Sequence, residues 1–162
     1  MKKALIIGGI SFIVIAVASA ICLLHQPPLV RTNGVESVVV SVTGKGHKEI
    51  ADPAVQKQII NQINKSDRQA SAEDAGNGWN LAVYVYYADG TRESLWFTYE
   101  VNAAEIGVSE PTAEYMQRYP NGNYRIEDGT IVSLVELCES LDTPYSAGIL
   151  PTERMKEEGL IK

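Results

Sequence analysis

The hydrophobic positions of this chain change their period as one reads along it, and each change marks an element. Ala4 to Leu24 (ALIIGGISFIVIAVASAICLL) is apolar throughout and carries no charge. At a helical rise of about 1.5 Å per residue, such a stretch covers roughly the 30 Å hydrocarbon core of a bilayer, so it predicts a transmembrane signal-anchor helix over residues 4–24. Lys2 and Lys3 precede it and no further Lys or Arg follows until Arg31. The positive-inside rule then leaves residues 1–3 in the cytoplasm and the rest of a single-pass membrane protein outside. Two alternatives stay open. The small-residue triplet Ala18-Ser19-Ala20 permits cleavage near Ala20 and a secreted product, and Cys22 permits lipidation after cleavage. Against them, the apolar run continues unbroken from Ile21 to Leu24, and Ile21 is larger than the residue that normally precedes a lipidated cysteine. All three readings put the folded part outside the cytoplasm.

Beyond the apolar run, residues 25–34 read as a stalk, with Pro27-Pro28 for stiffness and Thr32-Asn33-Gly34 as turn formers. A domain over residues 35–144 then opens with period two: Val35 to Val42 sets Val38, Val40 and Val42 against Ser37, Val39 and Ser41, a strand pattern. Gly44-Lys45-Gly46 turns the chain, and His47 to Ile50 returns beside it. Asp52-Pro53 starts a helix, since the aspartate can accept from early backbone N–H groups and proline at the first helical position forfeits no bond. Val55, Ile59, Ile60 and Ile63 form its apolar stripe, Gln56, Lys57, Asn61 and Gln62 face away, and it ends near Lys65. Ser66 to Gly78, small and polar, reads as a mobile connection.

Trp79–Tyr87 and Thr91–Glu100 flank Asp89-Gly90 and predict a hairpin with a two-residue turn. That pairing sets Trp79, Leu81, Val83, Val85 and Tyr87 on one face, with Trp96 opposite Val83, and Ala82, Tyr84, Tyr86, Leu95, Phe97 and Tyr99 on the other. Both faces are apolar, so one packs on the core helix and the other is covered by later chain or presented to a partner. A strand at Glu105–Ser109, a short amphipathic segment at Thr112–Tyr119, a turn at Pro120–Asn123 and a strand at Tyr124–Glu127 follow. Asp128 is read as the cap of a second helix with Ile131, Leu134, Val135, Cys138 and Leu141 as its stripe and Pro144 as its stop. The tail, residues 145–162, holds a short helix at Thr152–Glu158 stopped by Gly159. The fold class is α+β: one small domain, an antiparallel sheet of about four strands with one or two helices packed on a face.

Charge narrows the partners. The chain carries −6, and setting aside Lys2 and Lys3 leaves −8 for the remainder, with Lys45, Lys48, Lys57, Lys65 and Arg68 dispersed. Nucleic acid and anionic lipid are disfavoured on those grounds. Cys22 in the apolar run and Cys138 in a helix stripe offer no disulfide framework, and a buried Cys138 would be inert. His47 reads as a solvated turn residue. Glu136 and Glu139 share a helix face as a solvated surface, and Glu73-Asp74 before Gly76-Asn77-Gly78 has the wrong spacing for a calcium loop. No catalytic residue, cofactor or metal site is assigned. The aromatic crowding of the hairpin is the feature with functional content. Tyr and Trp are frequent interface anchors, which makes Tyr84, Tyr86, Trp96, Phe97 and Tyr99 the candidate binding residues, set against the reading in which they fill the core.

Ile50-Ala51-Asp52-Pro53, Ile59-Ile60-Asn61-Gln62-Ile63, Asp89-Gly90, Glu110-Pro111 and Gly122-Asn123-Tyr124-Arg125-Ile126, in that order behind an anchor, resemble small membrane-anchored extracytoplasmic domains of unknown function from Gram-positive bacteria. The resemblance implies an envelope location and no catalytic residues. Together these readings predict a membrane-anchored interaction module that takes an envelope protein, peptide or glycan on the aromatic hairpin. An envelope enzyme using carboxylates assembled by the fold is one alternative. Another is an accessory subunit whose anchor packs through Gly8, Gly9 and Ser11.

Overall fold

A computed structural model describes residues 26–71, 79–100, 103–108, 122–157 and 159. The apolar run 4–24 with its cleavage triplet and Cys22, the acidic loop at 73–74, Glu110-Pro111 and the Thr112–Tyr119 segment lie outside the described residues. No helix among the described residues is long and apolar enough to cross a membrane. The elements are β1 (Val35–Val42), β2 (Gly46–Ile50), α1 (Pro53–Lys65), β3 (Arg68–Ala70), β4 (Leu81–Tyr87), β5 (Arg92–Glu100), β6 (Ala103–Val108), β7 (Asn123–Ile126), α2 (Asp128–Glu139) and α3 (Thr152–Glu157). The fold is mixed α+β. Among the described residues, seven strands form one antiparallel sheet in the order β2-β1-β4-β5-β6-β7-β3.

This sheet is wider than the four or so strands expected. β3 accounts for part of the difference: Arg68-Gln69-Ala70 lies within the predicted mobile connection, yet pairs with β7 in the register Arg68↔Ile126 to Ala70↔Tyr124. A three-residue polar strand has no alternation to read and depends on its partner.

α1 forms where its cap predicts, with Asp52 accepting from the Ala54 N–H at 2.8 Å and Pro53 opening the first turn. Its apolar stripe and that of α2 bury Ile59, Ile60, Ile63, Ile131, Leu134 and Cys138 against one sheet face, which contributes Val38, Val40, Leu81, Val83, Val85, Leu95, Phe97 and Tyr124. Gln56 does not face away from this core: it is buried, and its amide donates to the Ile50 carbonyl at 2.8 Å. At α2 the cap is Glu127, without a side-chain bond, and Asp128 is the first helical residue. The helix ends at Glu139, ahead of Pro144. Lys48 of β2 lies beneath that end and donates to the carbonyls of Cys138 at 2.7 Å and Leu141 at 3.1 Å. A cation on the last carbonyls satisfies groups a helix end otherwise leaves open.

The hairpin register differs from the prediction by one residue. The loop has three residues, Ala88-Asp89-Gly90, with Gly90 at φ +79°. The Gly90 N–H bonds the Tyr87 carbonyl at 2.9 Å and the Tyr87 N–H bonds Thr91 at 3.0 Å. A turn closed by a left-handed glycine adds one residue to a two-residue loop and slides the partner strand by one, which exchanges its faces. The pairs are Leu81↔Phe97, Ala82↔Trp96 and Val83↔Leu95. Phe97 and Leu95 therefore face the helices, and Trp96 joins Tyr84 and Tyr86 on the opposite face.

The segment read as a stalk lies along α1 as a strap. Leu29 and Val30 are buried in the core, and Asn64 of α1 grips Val30 in both directions, accepting from its N–H at 2.9 Å and donating to its carbonyl at 2.8 Å. Arg68, only 2% exposed, donates to the carbonyls of Ile63 at 2.9 Å and Pro27 at 3.1 Å and to Gln26 Oε1 at 3.2 Å. Further along, Arg31 stacks 3.9 Å from the Tyr87 ring centroid and pairs with Asp89 at 3.1 Å and Glu93 at 3.5 Å.

Candidate binding surface

On the sheet face away from the helices, Val39 of β1, Ala82, Tyr84 and Tyr86 of β4 and Trp96 of β5 stand side by side. The C-terminal chain crosses this face. It leaves α2, meets the outer edge of β2 in a two-way backbone pair (His47 N–H to Ser146 O at 2.9 Å, Ser146 N–H to His47 O at 2.8 Å) and lays Leu150 and Met155 on the aromatic cluster. The approach at the edge requires Gly46. Its φ is +106°, and a Cβ there would come within 2.1 Å of the Ser146 carbonyl oxygen.

Arg154 of α3 lies 4.4 Å from the Tyr86 ring centroid and reaches Ser37 Oγ at 3.4 Å, while Arg92 lies 5.8 Å from the Tyr84 ring. Cations above aromatic faces add electrostatic attraction to the apolar contact.

The candidate residues thus divide. Phe97 is core. Tyr84 and Tyr86 are buried beneath the C-terminal strap, Trp96 is half-buried at the margin of the same cluster, and the side chain of Tyr99 lies outside the described residues. What the arrangement leaves available is a groove of about 590 Å³ at the end of β1, between the β1–β2 turn and the strap, lined by Thr43, Gly44, Lys45, Trp79, Gly148 and Ile149 among others. Trp79 is half-buried and Ile149 is 43% exposed. Apolar walls beside backbone polar groups suit an extended chain with an apolar side chain. Lys45 is engaged by Glu139 at the rim.

Trp79 and Ile149 were not among the residues singled out by sequence. The available signal is Ile149-Leu150 between Gly148 and Pro151: two adjacent apolar residues in an extended tail point to opposite sides, so burying Leu150 exposes its neighbour.

Among the described residues, His47 and Cys138 are enclosed by the fold. His47 is buried, not solvated, and its Nδ1–H donates to the Gly148 carbonyl at 3.1 Å. The strap docking on β2 encloses this ring. Burial pushes the Cys138 thiol up to about 11, with Lys48 opposing and Glu139 adding to the rise. Tyr145, 4.4 Å below Lys48 by its ring centroid, is raised by burial as well. At the hairpin loop, hydrogen bonds from the Thr91 hydroxyl and N–H, then Arg31, hold the Asp89 carboxyl down to about 2. Burial, then the bond with Glu93, lifts the Tyr87 phenol well above its ordinary value. Among the described residues no group of His, Cys, Asp and Glu is placed to hold a metal ion. No family model, curated protein or solved structure matches the chain.

Proposed function

We propose that the protein is a membrane-anchored extracytoplasmic interaction module, held by residues 4–24, that captures an extended segment of an envelope protein or peptide in the groove between the β1–β2 turn and the C-terminal strap. The observation that carries the reading is the groove itself, where Trp79 and the exposed Ile149 present apolar surface beside the backbone of Gly44 and Gly148. Aromatic and aliphatic anchors at the rim of a preformed groove are the elements from which peptide sites are built. The aromatic cluster supports this site from outside the groove: Tyr84, Tyr86 and Val39 hold Leu150, and Leu150 fixes the strap that forms one wall.

The test is photocrosslinking in native membranes from a reactive residue at position 149, compared with position 132, where Val132 is 50% exposed on α2. One partner crosslinked from 149, absent from 132 and lost in Trp79→Ser, is the expected result. The same products from both positions, or none from 149, would overturn the proposal.

A further inference from the structure

We infer that the domain sits directly on the bilayer through the corner formed by the C-terminal end of α1 and β3, with phospholipid headgroups as the surface it meets. The inference rests on the anchored reading of residues 4–24. The apolar run ends at Leu24, and the domain takes hold of the chain at Gln26, so only His25 lies between them. Two residue steps reach at most about 7 Å.

The grip at Gln26 is built on both ends of its side chain. Its amide donates to the Arg68 carbonyl at 2.7 Å and to Asp67 Oδ1 at 3.4 Å, while its oxygen accepts from Arg68 Nε at 3.2 Å. Pro27 follows on Arg68 Nη2 and Val30 on Asn64. The connection has no slack to pay out.

Chain length, not affinity, imposes this proximity, and the local charge is compatible with it. α1 (PAVQKQIINQINK) carries Lys57 and Lys65 and no acidic residue. Its outer row of Ala54, Lys57, Gln58, Asn61, Gln62 and Lys65, with Asn61 and Gln62 half-buried, ends at the corner. Acids lie beside it as well: Gln26 engages Asp67, and Glu127 follows Ile126, the cross-strand partner of Arg68. Glu136 and Glu139 lie on α2. Strand order then sets the height of the groove. β3 and β2 are the two edges of the sheet, and six spacings of about 4.8 Å put them roughly 25–30 Å apart. A seat at the β3 edge carries the groove at the β1–β2 edge that far across the sheet, at a defined distance from the membrane.

Full-length protein in phosphatidylcholine–phosphatidylglycerol vesicles tests this, with Cys22→Ala and a single fluorophore at Gln69→Cys or Thr43→Cys, read by headgroup-attached nitroxide quenchers. The expected result is quenching several-fold stronger from position 69 than from 43. A flexible Gly-Ser insertion between His25 and Gln26 should abolish that difference. Equal quenching at both positions in protein that floats with the vesicles would overturn the seat while leaving the anchor intact. Protein that does not float with the vesicles would overturn the anchored reading, and the seat with it.

Discussion

Two straps cross this domain, one on each face of the sheet, and they are held by different physics. The N-terminal strap lies under polar clamps: the two-way amide of Asn64, the buried guanidinium of Arg68 and the Arg31 network. The C-terminal strap rests on one backbone pair at Ser146, the single His47–Gly148 bond, a buried Leu150 and the Arg154–Tyr86 stack. Hydrogen bonds fix register and punish removal, since a buried group left without its partner costs more than the bond contributes. Apolar contact is non-directional and tolerates sliding and release. The first strap therefore belongs to the frame, and the second to the surface proposed for binding.

Removing Arg68 breaks the comparison most severely. Arg68→Met strands the acceptors at Ile63, Pro27 and Gln26, and each unmet buried group costs about 1–3 kcal/mol, so a global loss of roughly 2–4 kcal/mol is expected by urea unfolding. A change below about 0.5 kcal/mol would show the clamp to be incidental. Gly46→Val acts on the other strap. Its side chain collides with Ser146, so the His47 and Ser146 amides should exchange rapidly and proteases should cut within 145–157, while the helix-face core stays protected. Global unfolding at the strength of Arg68→Met would erase the distinction between the straps.

Acid gives the mildest perturbation. The folded Asp89 carboxyl stands near 2 against an ordinary 3.8. Its favourable contribution to the N-terminal strap is whole above the ordinary value and is lost as pH falls from there towards 2. The Thr91 amide resonance should titrate near 2 and cease to do so in Asp89→Asn. A midpoint at the ordinary value would mean that the loop bonds do not persist in solution.

These straps mark where sequence reading ran out. β1, α1 and the short α3 were legible because their information is local: alternation of valines, an Asp-Pro cap, a glycine stop. Neither strap was, because Val30 is held by Asn64 more than thirty positions on, and Ser146 is paired with His47 a hundred positions back. In the hairpin, Asp89-Gly90 marked the turn correctly, but whether a loop holds two or three residues depends on which residues go left-handed. One residue there moved Phe97 from candidate surface to core. Tyr84 and Tyr86 were correctly joined as a cluster, while the groove at Trp79 arises only when the tail returns across the sheet.

The lysine beneath α2 bears on the order in which the chain assembles. Lys48 and the carbonyl of Cys138 that it caps are 90 positions apart, so β2 must wait for nearly all of the chain before its ammonium is satisfied and the thiol is closed off. Contacts of that span form late, because the intervening loop must first be closed. Until then Cys138 is open to oxidants. Resistance of this thiol to alkylation is accordingly a clock for the last step of folding.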